Sequence, residues 1–314
     1  MDSGLKQEIA TKGYAIVEGV LDPEALKDIV ADYEALLDRL APAWHAQGRI
    51  SSAFEGLPFA ERLTAVVSDS SEDLFQHFDI TLPNDTVTPE TPVHVSRATY
   101  EFLSNQALLD RVEEVIGGEI LSNPIQHVRI KPPQHKAEGQ PSTLLKETGW
   151  HQDRGVAREV ADESQMLTVW IAITDATLEN GCLKVVPYSH LKGLAVHCML
   201  DHLRIPDELL AGDPLPVPIK AGDAIFMHCD TQHGSLPNTS DAIRWSFDLR
   251  YQPIGLPTGR DEFPSLVVRS RENPAQVGDY ESWREAWFRA RDYLAGVDER
   301  ESTNRWDGTA IECA

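Results

Sequence analysis

At 314 residues the chain is long enough to bury a substantial core without disulfides or a partner. Apolar residues make up 41% and charged residues 25%, an ordinary balance for a soluble globular protein. Acidic side chains outnumber basic ones 50 to 28, giving a formal charge of −22; phosphate backbones are repelled at long range, so nucleic acid is not an expected partner.

No run approaches 18 uninterrupted apolar residues, and the start MDSGLKQEIATKGYA lacks the apolar stretch of a signal peptide. The expectation is a cytoplasmic protein with no membrane partner. Cys182, Cys198, Cys229 and Cys313 show no CxxC spacing and read as reduced thiols. Length alone suggests two domains, but all-β units with helical cover reach this size as one. We expect a single unit over 1–314: helical cover and lid at 1–120, a core at 121–253, and a C-terminal loop and helix at 254–314.

Residues 13–21 (GYAIVEGVL) form a short apolar run opened by Gly13, a predicted strand. Asp22 and Pro23 suit the N-cap and first position of a helix reaching about Leu40, with Leu26, Ile29, Val30, Tyr33, Leu36 and Leu37 as its apolar stripe. Residues 41–100, rich in Ser, Thr and Pro, read as irregular, and a loop of that length suggests a lid or binding loop. A second helix is predicted over about Asn105–Ile116, ending at Gly117-Gly118. From residue 121 the pattern changes to short β-like runs: IQHVRI, QMLTVWIAI, CLKVVP, GLAVHCM, DAIFMH and RWSFDLRY. Turn residues separate them, which predicts an antiparallel sandwich or barrel. A last helix is predicted near Asp279–Ala295, with Tyr280, Trp283, Trp287 and Ala290 packed against the barrel.

The most informative segment is Trp150-His151-Gln152-Asp153. In an extended chain residues i and i+2 share a face, so His151 and Asp153 project together while Gln152 points away. Alone, an H-x-D tripeptide is a weak signal. A further histidine, His233, follows the run DAIFMHCDTQ and would complete a 2-His-1-carboxylate set, the arrangement of non-haem Fe(II) oxygenases. On the next strand Arg244, Ser246, Asp248 and Arg250 alternate with Trp245, Phe247, Leu249 and Tyr251. Arg244 is thereby placed on the polar inner face with Ser246 beside it, and a planar guanidinium suits the far carboxylate of a dicarboxylic acid. His228 is the competing third ligand. His190 is expected to brace local backbone, His197 and His127 to be barrel-lining or structural, and Trp170 to pack in the core.

Taken in order, WHQD at 150–153, TVWIAITDAT at 168–177, ENGCLKVVPYSH at 179–190 and HGSLPNTSDAIRWSFDLRY at 233–251 resemble the phytanoyl-CoA dioxygenase family of Fe(II)/2-oxoglutarate oxygenases. The resemblance covers roughly residues 120–253. It implies a mainly β protein with flanking helices and a double-stranded β-helix (jelly-roll) core. It also implies Fe(II) on His151, Asp153 and His233, and 2-oxoglutarate on Arg244 with Ser246. Arg129, Lys131 and Trp170 then stand where co-substrate or substrate contacts are expected. Cys182 replaces a common proline and Tyr188 a common glycine, while the presence of Asp153 disfavours the halogenating subclass.

The implied reaction uses O2 and 2-oxoglutarate as co-substrates and hydroxylates an aliphatic C–H of a small molecule, releasing succinate and CO2. A jelly-roll isomerase or hydrolase would use the same triad without 2-oxoglutarate, and a sensor would bind metal and 2-oxoglutarate without turnover. Fold does not select the substrate, and the protein is expected to be a monomer or homodimer.

Overall fold

A computed structural model of the chain describes residues 4–84, 86–200, 202–297, 305–306 and 308–313. The described helices are α1 (Gly4–Lys12), α2 (Pro23–Ala46), α3 (Phe59–Asp69), α4 (Arg97–Leu103), α5 (Gln106–Ile116) and α6 (Tyr280–Ala295). The strands are β1 (Tyr14–Val17), β2 (Glu119–Ser122), β3 (His127–Lys131), β4 (Leu167–Ala172), β5 (Leu183–Val185), β6 (Cys198–Met199), β7 (Leu203–Arg204), β8 (Leu215–Val217), β9 (Ala224–His228), β10 (His233–Ser235), β11 (Arg244–Pro253) and β12 (Leu266–Ser270).

The strands build the two facing sheets of a jelly roll. The larger follows the order β1-β9-β4-β11-β2-β12, with β3 also paired to β11; the smaller is β10-β5-β8, and the pairs are antiparallel. Side-chain alternation assigns the faces of the larger sheet. Val169, Ile171, Phe226, Trp245, Phe247, Leu249 and Tyr251 point outward into a core shared with the helices. Trp170, Ala172, Ile225 and Met227 point inward, toward Leu183 and Val185 of the smaller sheet. Polar residues on that inner face of β11 are therefore enclosed, and they form the site.

Local signals place the helices. Asp22 caps α2 by accepting from Ala25 N at 2.8 Å, and Asn105 caps α5 by accepting from Ala107 N at 3.0 Å and Leu108 N at 3.2 Å. Gly117 ends α5 at φ +89°, a conformation that costs glycine little. Helix α2 runs past the expected end near Leu40, through Pro42, to Ala46. An interior proline costs about 3 kcal/mol. Trp44 beyond it is 2% exposed and packs edge-on against His77 and Phe78. Removing some 150–250 Å² of indole surface from water at about 25 cal/mol per Å² more than offsets that cost.

Other expectations need correction. Residues 41–100 are not irregular throughout: they hold the end of α2, all of α3, most of α4 and a 3-10 turn at Phe75–His77. The buried stripe Leu63, Val66 and Val67 explains α3. The run GLAVHCM contributes only Cys198–Met199 as strand. Two of the four cysteines are not reduced thiols: Cys198 and Cys313 form a disulfide across 115 residues, while Cys182 and Cys229 are free and buried. A pairing over that separation leaves no local spacing to read. No helix among the described residues is long and apolar enough to cross a membrane.

Candidate metal centre

His151 and His233 are opposite one another in an antiparallel bridge, exchanging N–H···O bonds of 2.9 Å in both directions. Directly opposed residues share a face, so both imidazoles project to the same side, with ring centroids 4.2 Å apart. Each ring uses Nδ1 locally: His151 Nδ1 lies 2.9 Å from Gly149 O, and His233 Nδ1 lies 2.9 Å from Thr231 O. A carbonyl partner requires the proton on Nδ1, which leaves both Nε2 lone pairs free to bind a metal.

Gln152 is extended (φ −121°, ψ 138°), and this turns Asp153 onto the side of His151 before a 3-10 turn begins. The Asp153 carboxylate oxygens lie 3.7 Å from His151 Nε2 and 4.0 Å from His233 Nε2. One ligand atom from each residue falls within 4.8 Å of the others. Metal bonds near 2.1 Å need ligand separations of roughly 3.0–3.4 Å, so the three side chains close on an ion by small rotations. The donor set of two neutral imidazoles and one carboxylate is that of a facial triad.

Asp153 is 1% exposed and is held by two donors, Arg250 Nη2 on one oxygen and Thr168 Oγ1 on the other. Burial pushes its carboxyl up, but the Arg250 guanidinium and the two imidazoles outweigh that and hold it well below the usual carboxylate range. Burial, followed by repulsion from His233, drives His151 well below the ordinary imidazole value despite the pull of Asp153. Asp153 and His151 are thus held toward the deprotonated state that a metal requires.

Beside the triad, a cavity is lined by Arg129, Thr148, Thr168, Trp170, Leu183 and Met227 as well as by Arg244, Asp248 and Arg250. Arg244 is fully buried. Its Nη1 donates to Ser246 Oγ at 2.6 Å, its guanidinium lies 5.3 Å from the Trp170 ring centroid, and its Nε and Nη2 have no partner among the described residues. A buried cation with two unmet donors is costly and calls for an anion. Burial pulls Arg244 down to about 10, still far above neutrality. The unmet donors of Arg244 suit a carboxylate entering this cavity.

The remaining predicted residues take various places. Lys131 is buried opposite Arg244 in the β3–β11 register and donates to Ser235 Oγ at 2.6 Å. Arg129 lines the cavity and pairs with Asp248 at 2.8 Å. Trp170 walls the cavity as well as packing in the core. His228 ends β9 away from the triad, its Nδ1 accepting from Asp230 N at 3.1 Å. His190 braces α1 at Ala10 O, His127 pairs with Asp79 at 2.8 Å, and His197 accepts from Gln152 N at 3.0 Å. Sequence reasoning missed the tie of Arg250 and Thr168 to Asp153; the alternation along β11 already placed Arg250 on the inner face.

The sequence profile of the family described as "Phytanoyl-CoA dioxygenase (PhyH)" matches residues 9–246. A mouse (Mus musculus) protein named phytanoyl-CoA dioxygenase domain-containing protein 1 is 32% identical over 98 residues, which cover 27% of this chain and 32% of that protein. The first curated relatives are thus matched over about a third of their length. A Caenorhabditis briggsae homologue of that protein is 23% identical over 274 residues, covering 79% of this chain and 89% of its own. Among solved structures, the non-heme monooxygenase ThoJ aligns with a TM-score of 0.61 at 19% identity, over 93% of this chain and 97% of its own. EvdO2 from Micromonospora carbonacea var. aurantiaca, complexed with 2-oxoglutarate, gives 0.52 at 19% identity over 89% and 98%. The alpha ketoglutarate dependent epimerase SnoN from nogalamycin biosynthesis gives 0.51 at 21% identity over 82% and 86%. These likenesses establish the shared fold, and the profile match over most of the chain establishes the lineage: this protein belongs to the phytanoyl-CoA dioxygenase family.

Proposed function

We propose that the protein is a non-haem Fe(II)- and 2-oxoglutarate-dependent dioxygenase that hydroxylates an aliphatic C–H bond of a small molecule. The observation that carries this reading is Arg244, a buried guanidinium with two donors unmet among the described residues, in the cavity that His151 and His233 of the triad also line. A metal-dependent isomerase or hydrolase has no need of such a clamp for a second carboxylate. Iron bound here supplies O2 activation, coupled to conversion of 2-oxoglutarate to succinate and CO2.

The chain's own residues prepare the centre. Gly149 O and Thr231 O fix the tautomer of the two histidines, while Arg250 and Thr168 fix Asp153. Arg244 sets the depth and orientation of the dicarboxylate, and Ser246 keeps the guanidinium in place. Trp170, Leu183 and Met227 supply apolar wall that keeps water from the reacting centre.

The test is a small-molecule screen for substrate-stimulated succinate release under air, read by mass spectrometry. Succinate together with a product that has gained one oxygen supports the reading. Succinate with a product of another kind, such as an epimer or a new ring, keeps the co-substrate assignment and overturns hydroxylation. Substrate conversion without succinate overturns both.

A further inference from the structure

Outside the triad and the Arg244 cavity, a set of specific contacts on and beside the metal-binding segment comes from the far end of the chain. Trp306 donates from Nε1 to Gly155 O at 2.8 Å, two residues beyond Asp153. Its indole stacks on His197, with centroids 5.0 Å apart and planes at 21°. The His197 ring lies between Trp306 and the ligand segment: Nδ1 bonds Ala195 O at 3.0 Å, so Nε2 carries the lone pair that accepts from Gln152 N at 3.0 Å. Gln152 is the residue between the two ligands His151 and Asp153. Arg305 adds a bond from Nε to Ala157 O at 2.9 Å and an ion pair with Asp162 at 2.5 Å. Farther along, Cys313 is joined to Cys198, the residue next to His197.

These contacts form a closed circuit. The disulfide anchors the C-terminal segment on β6, the adjacent His197 carries the indole, and the indole and the imidazole hold backbone atoms on either side of Asp153. The fit leaves little slack, since a Cβ on Gly155 would lie 2.3 Å from the His197 ring. The described contacts of Arg305 and Trp306 are with backbone carbonyls, the Asp162 carboxylate and the His197 ring. What they fix is the extended backbone at Gln152 and the turn after Asp153, the conformation that puts His151 and Asp153 on one side.

We infer that the C-terminal strap, Arg305 and Trp306 anchored through Cys198–Cys313, is a positioning element of the metal centre, acting through His197 and Gly155 on the segment 151–155. The inference rests on the metal-centre reading and adds a determinant of iron affinity distant from the ligands in sequence. Outer partners that orient metal ligands commonly change affinity by about 10- to 100-fold when removed, which sets the expected size.

The experiment is an anaerobic Fe(II) titration against a competing chelator dye, on the full chain and on Trp306→Ala, Trp306→Phe and Cys313→Ser. The thermal midpoint of each metal-free protein separates metal positioning from a general loss of stability. Trp306→Ala should weaken Fe(II) binding by about 10- to 100-fold. Trp306→Phe, which keeps the ring and loses the donor, and Cys313→Ser, which releases the anchor, should each fall between Trp306→Ala and the parent. Should Trp306→Ala fail to fold, the other two decide. Unchanged iron affinity in variants whose parent binds iron overturns the strap alone. A parent that binds no Fe(II) overturns the metal-centre reading and the strap with it. A fall in affinity matched by an equal fall in metal-free stability would show a merely structural tail.

Discussion

Arg250 Nη2 donates to Asp153 Oδ1, and six residues earlier on the same inner face of β11 Arg244 leaves two donors unmet. One strand thus presents two buried guanidiniums in different surroundings. Arg250, also bonded to Ile125 O at 2.6 Å, orients a protein carboxylate, while Arg244 bonds Ser246 Oγ and keeps two donors without a partner among the described residues. The alternation of β11 keeps both on one line, and the apolar residues between them hold the strand against the helices.

The Arg250 contact predicts a loss of metal affinity without direct loss of a ligand. Arg250→Gln leaves Asp153 buried beside two imidazoles with Thr168 as its remaining side-chain donor. Fe(II) affinity should fall by about 10- to 100-fold, as for other partners that orient metal ligands. Calorimetric titration with Fe(II) under nitrogen measures it. An affinity equal to the parent's would mean that Thr168 alone suffices.

Replacing His151, Asp153 or His233 by alanine should each remove most Fe(II) binding. Metal that binds only the folded state adds about 2.7 kcal/mol of stability at a hundredfold excess over its dissociation constant. The parent should therefore melt higher with Fe(II) than with chelator, and the three variants should show no such difference. His228→Gln, which alters a side chain outside the triad, should keep the metal-dependent rise. Loss of the rise in His228→Gln with retention in His233→Ala would reverse the ligand assignment.

Acid should destabilise the metal-free protein through its buried histidines. Burial lowers His77, His197 and His228 to about 4, against about 6.5 in an unfolded chain. Between these values the unfolded chain binds protons that the folded one does not. The stability is fully present above pH 6.5 and is lost as pH falls toward 4. Asp153, held below its ordinary value, acts in a lower window: its contribution is present above about 3.8 and is lost as pH falls further. Thermal midpoints from pH 7.5 to 4 at fixed ionic strength should decline most steeply below 6.5, and His228→Gln should flatten that slope. A flat profile in the parent would contradict the burial argument.

The placement of Arg244 and Ser246 on the inner face was legible because period-2 alternation on β11 separates them from Trp245 and Phe247 with no need of tertiary information. The same reasoning placed Asp153 beside His151, since Gln152 is extended as an i, i+2 pair requires. The cap at Asp22 and the glycine after α5 marked helix ends for equally local reasons. What could not be read depends on distant partners. Lys131 donates to Ser235, 104 residues away, a partner that no local pattern reveals. Helix α2 was ended too early because Pro42 is a local signal, whereas the burial of Trp44 is a tertiary one. Helix α3 is a different kind of miss: Leu63, Val66 and Val67 carry a helical stripe that the surrounding Ser, Thr and Pro obscured.

The measurement that tests the account most directly is the 2-oxoglutarate dissociation constant of the Fe(II) protein under nitrogen, followed through the metal-to-ligand charge-transfer band. Removing one partner of a desolvated charge pair costs about 2–5 kcal/mol. Arg244→Ala should therefore weaken 2-oxoglutarate binding by roughly 30- to several-thousand-fold. Arg244→Lys keeps the charge without the fork and should fall between alanine and the parent. Ser246→Ala removes a neutral partner and should cost about 0.5–1.5 kcal/mol. Iron affinity should stay the same in all three, because none touches the triad. A dissociation constant unchanged in Arg244→Ala, or the absence of any charge-transfer band in the parent, would contradict the account.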